Sequence, residues 1–238
     1  MFTRRMLTAA VLSMSAAGAC GVPRAPATVP FAANTDGDTP GVFRPVKTKD
    51  LCVATGHLVE LDSLRSRVDG DEARATTGGY GATTAELAFT YLGPTTSMTP
   101  LASGERRRQA GLKLRAKDTC NVVYVMWRLE PTTGIFVSVK QNPGKSTHAA
   151  CGADGYLDLK PLFLAPTPHV ALGEAHTLRA VTNGDRIRVF ADGELAWAGT
   201  LPAVAFDFDG PTGIRSDNIR FDFELRDDGA NHAGCSAL

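Results

Sequence analysis

The chain lacks a charge of one sign. Its 25 Lys and Arg balance 25 Asp and Glu over 238 residues, and no basic arm or zinc-finger spacing occurs. A nucleic-acid partner is therefore not expected. No apolar run is long enough to cross the ~30 Å hydrocarbon core of a bilayer, so no transmembrane helix is expected. No amphipathic helix of three turns and no repeat of fixed period stands out, which argues against helical and solenoid architectures. The G-x-S-x-G elbow, the phosphate-binding loop and the H-E-x-x-H pair are all missing, and with them the usual signs of three large enzyme classes. Cysteine is scarce at five residues, and no two of them stand in a C-x-x-C spacing. No histidine lies beside them at finger distance, so no metal or cofactor is expected.

The N-terminus carries an address. Arg4 and Arg5 precede an apolar run over 6–17 broken only by Thr8, Ser13 and Ser15, and Ala17-Gly18-Ala19 then leads into Cys20. This pattern reads as an export signal over residues 1–20. Cys20 behind small residues resembles a bacterial lipoprotein box, with Ala17 where that box usually has Leu. Thr3-Arg4-Arg5-Met6-Leu7 resembles a twin-arginine export motif. The resemblance implies lipidation of Cys20 and a cell-envelope location, with membrane contact only through the lipid. Gly21 in place of Asp implies the outer membrane by Gram-negative sorting rules. The simpler alternative is a plain cleavage site with Cys20 in a disulfide and a periplasmic or secreted product.

Residues 21–45 are rich in Pro, Ala, Thr and Gly and read as a tether, because they offer too little apolar surface to offset the entropy of ordering. Residues 46–238 are long enough for one buried core. They hold Cys52, Cys120, Cys151 and Cys235. An even count in an exported chain predicts two disulfides, with three pairings open.

The body is written in strands. Over 86–92, Leu87, Phe89 and Tyr91 share one face. Over 109–116, Ala110, Leu112 and Leu114 oppose Gln109, Lys113 and Arg115. Over 120–130, Val123, Val125, Trp127 and Leu129 oppose Tyr124, Met126 and Arg128. Ile135, Val137 and Val139 alternate with Phe136, Ser138 and Lys140. Such period-two patterning predicts half-buried strands of antiparallel sheets. Strands at 176–182, 186–191 and 194–199 are joined by Asn183-Gly184 and Asp192-Gly193, pairs that suit two-residue hairpins. A last strand at 219–225 buries Ile219, Phe221, Phe223 and Leu225. Many short strands at this length predict an all-β sandwich.

Three segments carry a family resemblance: His176-Thr-Leu-Arg-Ala, Asn183-Gly-Asp-Arg-Ile-Arg-Val-Phe-Ala-Asp192-Gly193, and Gly213-Ile-Arg-Ser-Asp217-Asn218. Together they resemble the closing strands of concanavalin A-like jelly rolls, including laminin-G-like and 3-keto-disaccharide hydrolase-type domains. The resemblance implies a two-sheet antiparallel jelly roll with a concave groove where ligands lie. It also implies that first and last strands are neighbours. The pairings expected are then Cys52–Cys235 and Cys120–Cys151, the second pinning a loop at the groove rim.

Candidate chemistry is sparse. The E-x-D-x-x-E strand of laminarinase-type jelly rolls is absent: Glu60-Leu61-Asp62 continues as Ser63-Leu64-Arg65. Asp207, Asp209, Asp222 and Glu224 alternate with phenylalanines and read as a solvated face. His57, His148, His169, His176 and His232 form no ligand-like pair. Asn34-Thr-Asp36-Gly-Asp38 resembles a calcium loop but lacks the downstream Glu. If strands 109–115, 121–129 and 134–140 are neighbours, one face carries Gln109, Lys113, Tyr124, Arg128, Ser138 and Lys140, with no acid on that face. The opposite face is core. Amide, ammonium and guanidinium donors beside a Tyr ring suit sugar hydroxyls and carboxylates.

The expected function is an exported lectin-like domain, monomeric, that binds a polysaccharide through Gln109, Lys113, Tyr124, Arg128 and Lys140. One alternative is a polysaccharide lyase or glycosidase on the same face, with Gln109 or Arg128 neutralising a uronate and Tyr124 or His148 moving the proton. The other is a structural envelope lipoprotein without a small ligand.

Overall fold

The computed structural model describes residues 43–230 together with 232, 234 and 235. The export segment, Cys20 and the 34–38 motif lie outside the described residues. Sixteen strands occur among the described residues: β1 (Arg44–Pro45), β2 (Cys52–Thr55), β3 (Val59–Glu60), β4 (Ser66–Val68), β5 (Glu72–Thr76), β6 (Thr84–Pro94), β7 (Arg108–Leu114) and β8 (Val122–Glu130). They continue as β9 (Gly134–Lys140), β10 (Tyr156–Asp158), β11 (Phe163–Leu164), β12 (Ala175–Asn183), β13 (Arg186–Ala191), β14 (Glu194–Thr200), β15 (Gly213–Asp217) and β16 (Ile219–Asp227). One four-residue helix, α1 (His148–Cys151), is the only α-helix among the described residues.

The strands form two antiparallel sheets. One has nine strands in the order β11-β14-β13-β12-β6-β16-β4-β3, with β1 paired to β16. The other has seven, in the order β10-β9-β8-β7-β15-β5-β2. The core lies between them. Val123, Val125 and Trp127 of β8 and Leu112 and Leu114 of β7 meet Leu87 and Phe89 of β6 and Phe221, Phe223 and Leu225 of β16 in one cluster. Phe89 stands edge-on to Trp127 at 5.7 Å and edge-on to Phe221 at 6.1 Å. The period-two alternation thus puts its apolar side inside. Burying a large aliphatic side chain contributes about 1.5–3 kcal/mol, which makes this inter-sheet layer the main source of stability.

Both expected disulfides are formed. Cys52 bonds Cys235 with Cα atoms 5.3 Å apart, and Cys120 bonds Cys151 with Cα atoms 5.9 Å apart. The first joins β2 to the C-terminal tail, 183 residues away in sequence.

Three local expectations are corrected. The strand starting near Gln109 ends at Leu114, because Arg115 has φ +51° and swings its guanidinium to the carbonyls of Ala205 and Phe208. Arg115 therefore leaves the face it was placed on. The β12–β13 turn is centred on Gly184-Asp185, since Asn183 is paired with Arg186 and only Gly184 has positive φ. The β13–β14 turn is as read, with Asp192 and Gly193 both at positive φ. Residues 207 and 209 follow a short 3-10 turn (Ala203–Phe206) instead of lying on a strand. There Asp207 accepts a hydrogen bond from Gln141, and Asp209 lies 3.6 Å from Arg115.

Candidate functional site

The seven-stranded sheet turns its polar side outward, and a groove of about 570 Å³ lies on it. Antiparallel register sets the floor in rows. Lys113 of β7 stands opposite Tyr124 of β8, which stands opposite Ser138 of β9, which faces Asp158 of β10. In the next row Arg74 of β5, Arg215 of β15, Gly111 of β7, Met126 of β8 and Phe136 of β9 follow one another. Glu72, Asp217, Gln109 and Arg128 make a third. Lys140 and Tyr156 are paired at the β9–β10 end. Side chains opposite one another on such rows have Cβ atoms roughly 5 Å apart, so these groups share one surface.

Charge on this floor is organised around Asp217. Its carboxylate accepts from Gln109 Nε2 at 2.7 Å, Arg215 Nε at 3.0 Å and Arg74 Nη2 at 3.1 Å. Arg74 also reaches Glu72 at 2.6 Å. Burial disfavours the charge on Asp217, but Arg215, Arg74 and the Gln109 amide hold its pKa below the usual carboxylate value. Burial likewise opposes the charge on Arg215, and Asp217 with the Tyr124 and Tyr156 phenols keeps it firmly protonated. Arg215 also donates to the Tyr156 hydroxyl at 3.0 Å and lies 4.7 Å from the Tyr124 ring centre. Tyr124 and Tyr156 stack at 6.0 Å.

The remaining cations are placed differently. Lys140 donates to the Gly152 carbonyl at 2.7 Å and sits 5.1 Å from the Tyr156 ring centre. Burial, followed by Arg215 and Arg74, lowers its pKa to about 8. Lys113 is 2 % exposed, and burial, Arg74 and Arg215 lower its pKa to about 7. Arg128 stacks on the Phe136 ring at 3.7 Å. Burial pushes the Tyr124 phenol up to about 12, so it is a proton donor and not a base at neutral pH. His148 lies on the groove wall in α1, with its pKa lowered by burial, Lys140 and Arg74.

Two loops bound the groove. The 141–155 loop is held by Cys120–Cys151, by Lys140 on Gly152, and by Asn142, whose amide donates to Cys120 O and Asp154 O. The 97–107 segment is held by Asn218, whose side chain accepts from Thr99 N and donates to the carbonyls of Thr99 and Arg107. Asn218 has φ +59°, a left-handed conformation that Asn tolerates well.

Gln109, Lys113, Tyr124, Arg128, Ser138 and Lys140 thus lie together, with His148 on the same groove. One expectation about them is corrected. The face is not free of acids, because β15 inserts Asp217 beside Gln109. The floor is also deeply set, since Gln109, Lys113, Tyr124 and Lys140 are each at most 3 % exposed.

The fold is that of the concanavalin A-like jelly rolls. Among solved structures it is similar to the carbohydrate binding module CBM66 from Bacillus subtilis, with TM-score 0.51 and 14% identity over 73% of this chain and 91% of that one. It is also similar to the metal-free Emp46p carbohydrate recognition domain, with TM-score 0.49 and 11% identity over 77% of this chain and 90% of that one. A third is the Crh5 transglycosylase in complex with NAG, with TM-score 0.44 and 14% identity over 82% of this chain and 86% of that one. No family model and no curated protein sequence matches the chain.

Sequence reasoning about this jelly roll missed Arg74, Arg215, Asp217 and Tyr156 as members of the floor. The signal for two of them was present. Gly213, Arg215 and Asp217 alternate within the segment that carried the family resemblance, and alternation puts Arg215 and Asp217 on one face.

Proposed function

We propose that the groove binds a polysaccharide and that Gln109, Lys113, Tyr124, Arg128 and Lys140 contact it. The observation that carries this reading is the burial of polar side chains on the outer side of the sheet. A purely structural sheet leaves such a face to water. Here amides, amines and phenols line a walled groove, the donor set that suits sugar hydroxyls. The name of the Bacillus subtilis structure, a carbohydrate binding module, agrees with this reading. The export signal and Cys20 box support a protein tethered in the cell envelope by lipid, facing glycans of the envelope or the surroundings.

A second reading is a polysaccharide lyase on the same groove. It is favoured by the presence of His148 and Tyr124 on one groove: burial and Lys140 lower the His148 pKa, and burial pushes the Tyr124 phenol up to about 12. The test is one incubation of purified protein with neutral and acidic polysaccharides, scored for retention and for new reducing or unsaturated ends. Retention without new ends is expected. New unsaturated ends establish the lyase, and no retention on any polysaccharide overturns the binding reading.

A further inference from the structure

Lys113 is the anomaly of the groove. Its side chain is only 2 % exposed and its amine ends at the groove, yet no hydrogen bond or ion pair reaches that amine among the described residues. Buried charges are normally paired, because desolvating an unpaired ammonium is costly. Its neighbours in register are Gly213, which has no side chain, and Tyr124, which carries no negative charge.

The groups facing Lys113 come from every strand of the floor. Arg74 and Glu72 stand on β5, Arg215 and Asp217 on β15, Tyr124 on β8, Lys140 on β9, Tyr156 and Asp158 on β10, His148 on α1, and Asp118 just beyond β7. Asp217 is already shared by Arg74, Arg215 and Gln109. Asp118 is taken up by the amides of Cys120 and Asn121 and by the Asn121 side chain. The remaining acid of this row, Asp158 on β10, stands beyond Tyr124 and Ser138 and does not pair with Lys113.

We propose that Lys113, with Arg74 and Arg215 beside it, forms an anion subsite that takes the carboxylate or sulfate ester of an acidic sugar. This rests on the polysaccharide-binding reading and narrows it to charged glycans. The anion supplies the missing counter-charge at the one buried amine left unpaired among the described residues. Tyr156, 41 % exposed at the end of the same floor, offers a ring face to the sugar that carries the anion. Anion binding favours the protonated amine, so affinity falls as pH rises through the range where free Lys113 loses its proton.

The test is the affinity of oligogalacturonate, of sulfated dextran, and of uncharged dextran and methyl-esterified oligogalacturonate, at pH 6.5 and 8.5 and constant ionic strength. Wild type and Lys113→Met are compared. We expect an acidic ligand to bind at least tenfold tighter than its uncharged counterpart. We expect roughly tenfold weaker binding at pH 8.5 than at 6.5, and both effects to shrink markedly in Lys113→Met, leaving the smaller part that Lys140, Arg74 and Arg215 supply. Which acidic ligand shows them distinguishes carboxylate from sulfate. Equal binding of charged and uncharged ligands, or an unaltered Lys113→Met, overturns the anion subsite and leaves the groove reading standing. If no polysaccharide binds, the Lys113 side-chain carbon resonance of wild type is titrated with pH, with and without glucuronate or sulfate. An upward move of the Lys113 titration supports the subsite without the polysaccharide, and no move overturns it.

Discussion

Lys113 also makes a prediction about stability that needs no ligand. Its pKa of about 7 lies well below the ordinary lysine value of 10.5, because burial and two arginines disfavour the charge. Between those values the unfolded chain holds more protons than the folded one. Stability therefore rises with pH across that window, and it is flat below it, where both states hold the proton. Each unit of separation corresponds to about 1.4 kcal/mol. Integrated between pH 6.5 and 8.5, this single amine contributes about 2 kcal/mol of increasing stability.

Methionine keeps much of the lysine stem and removes the charge. Lys113→Met is expected to be more stable than wild type at pH 6.5, and its advantage is expected to shrink by about 2 kcal/mol at pH 8.5. The other buried lysine of the groove, Lys140, is present in both proteins and largely cancels in the difference. The assay is urea unfolding with both disulfides intact, extrapolated linearly to water at each pH. Unchanged slopes would show that the unfolded states are comparable. A difference between the two proteins that does not depend on pH would refute the reasoning, and so would a Lys113→Met protein less stable at both pH values.

The period-two alternation of β7, β8 and β9 made the sandwich and one polar face legible, because side-chain direction along a strand follows from backbone geometry alone. Trp127 was placed in the core for that reason, and it is fully buried there. The other half of the floor was not legible. β15 comes about a hundred residues after β7 and inserts between β7 and β5, and no local pattern encodes that neighbourhood. Arg74 was overlooked because β5 is a short strand with alanine on its buried side, a weak hydrophobic signal. Burial of Lys113, Lys140 and Gln109 was not legible either. It depends on the two loops that wall the groove, and these are held by Asn218, by Asn142 and by a disulfide. Cysteine spacing alone left three disulfide pairings; Cys120–Cys151 was legible from the strand that Cys120 opens and the loop that holds Cys151, and Cys52–Cys235 only through the family resemblance. Arg115 escaped its strand through a positive φ, a choice made by its contacts with the 203–208 segment and not by its own alternation.

Two further predictions concern the anchor and the buried ion cluster. If Cys20 is lipidated, wild-type protein is retained in the membrane fraction and Cys20→Ala is released, because an acylated N-terminus carries the only membrane affinity expected of the chain; wild type that is soluble refutes this. Asp217→Asn is expected to destabilise the fold by about 3–5 kcal/mol at pH 7, because it leaves Arg215 buried beside Arg74 without a counter-charge. The pKa of Asp217 is held below the ordinary 3.8 by those arginines, so its contribution is complete above that value and is lost as pH falls further through the folded pKa. Urea unfolding from pH 6 to 2.5 should show the two proteins converging only at the acid end, where the wild-type carboxylate takes up its proton. A gap that stays constant down to pH 2.5, or one below about 1 kcal/mol at pH 7, would mean that Asp217 is not the charge that holds Arg74 and Arg215 in the groove floor.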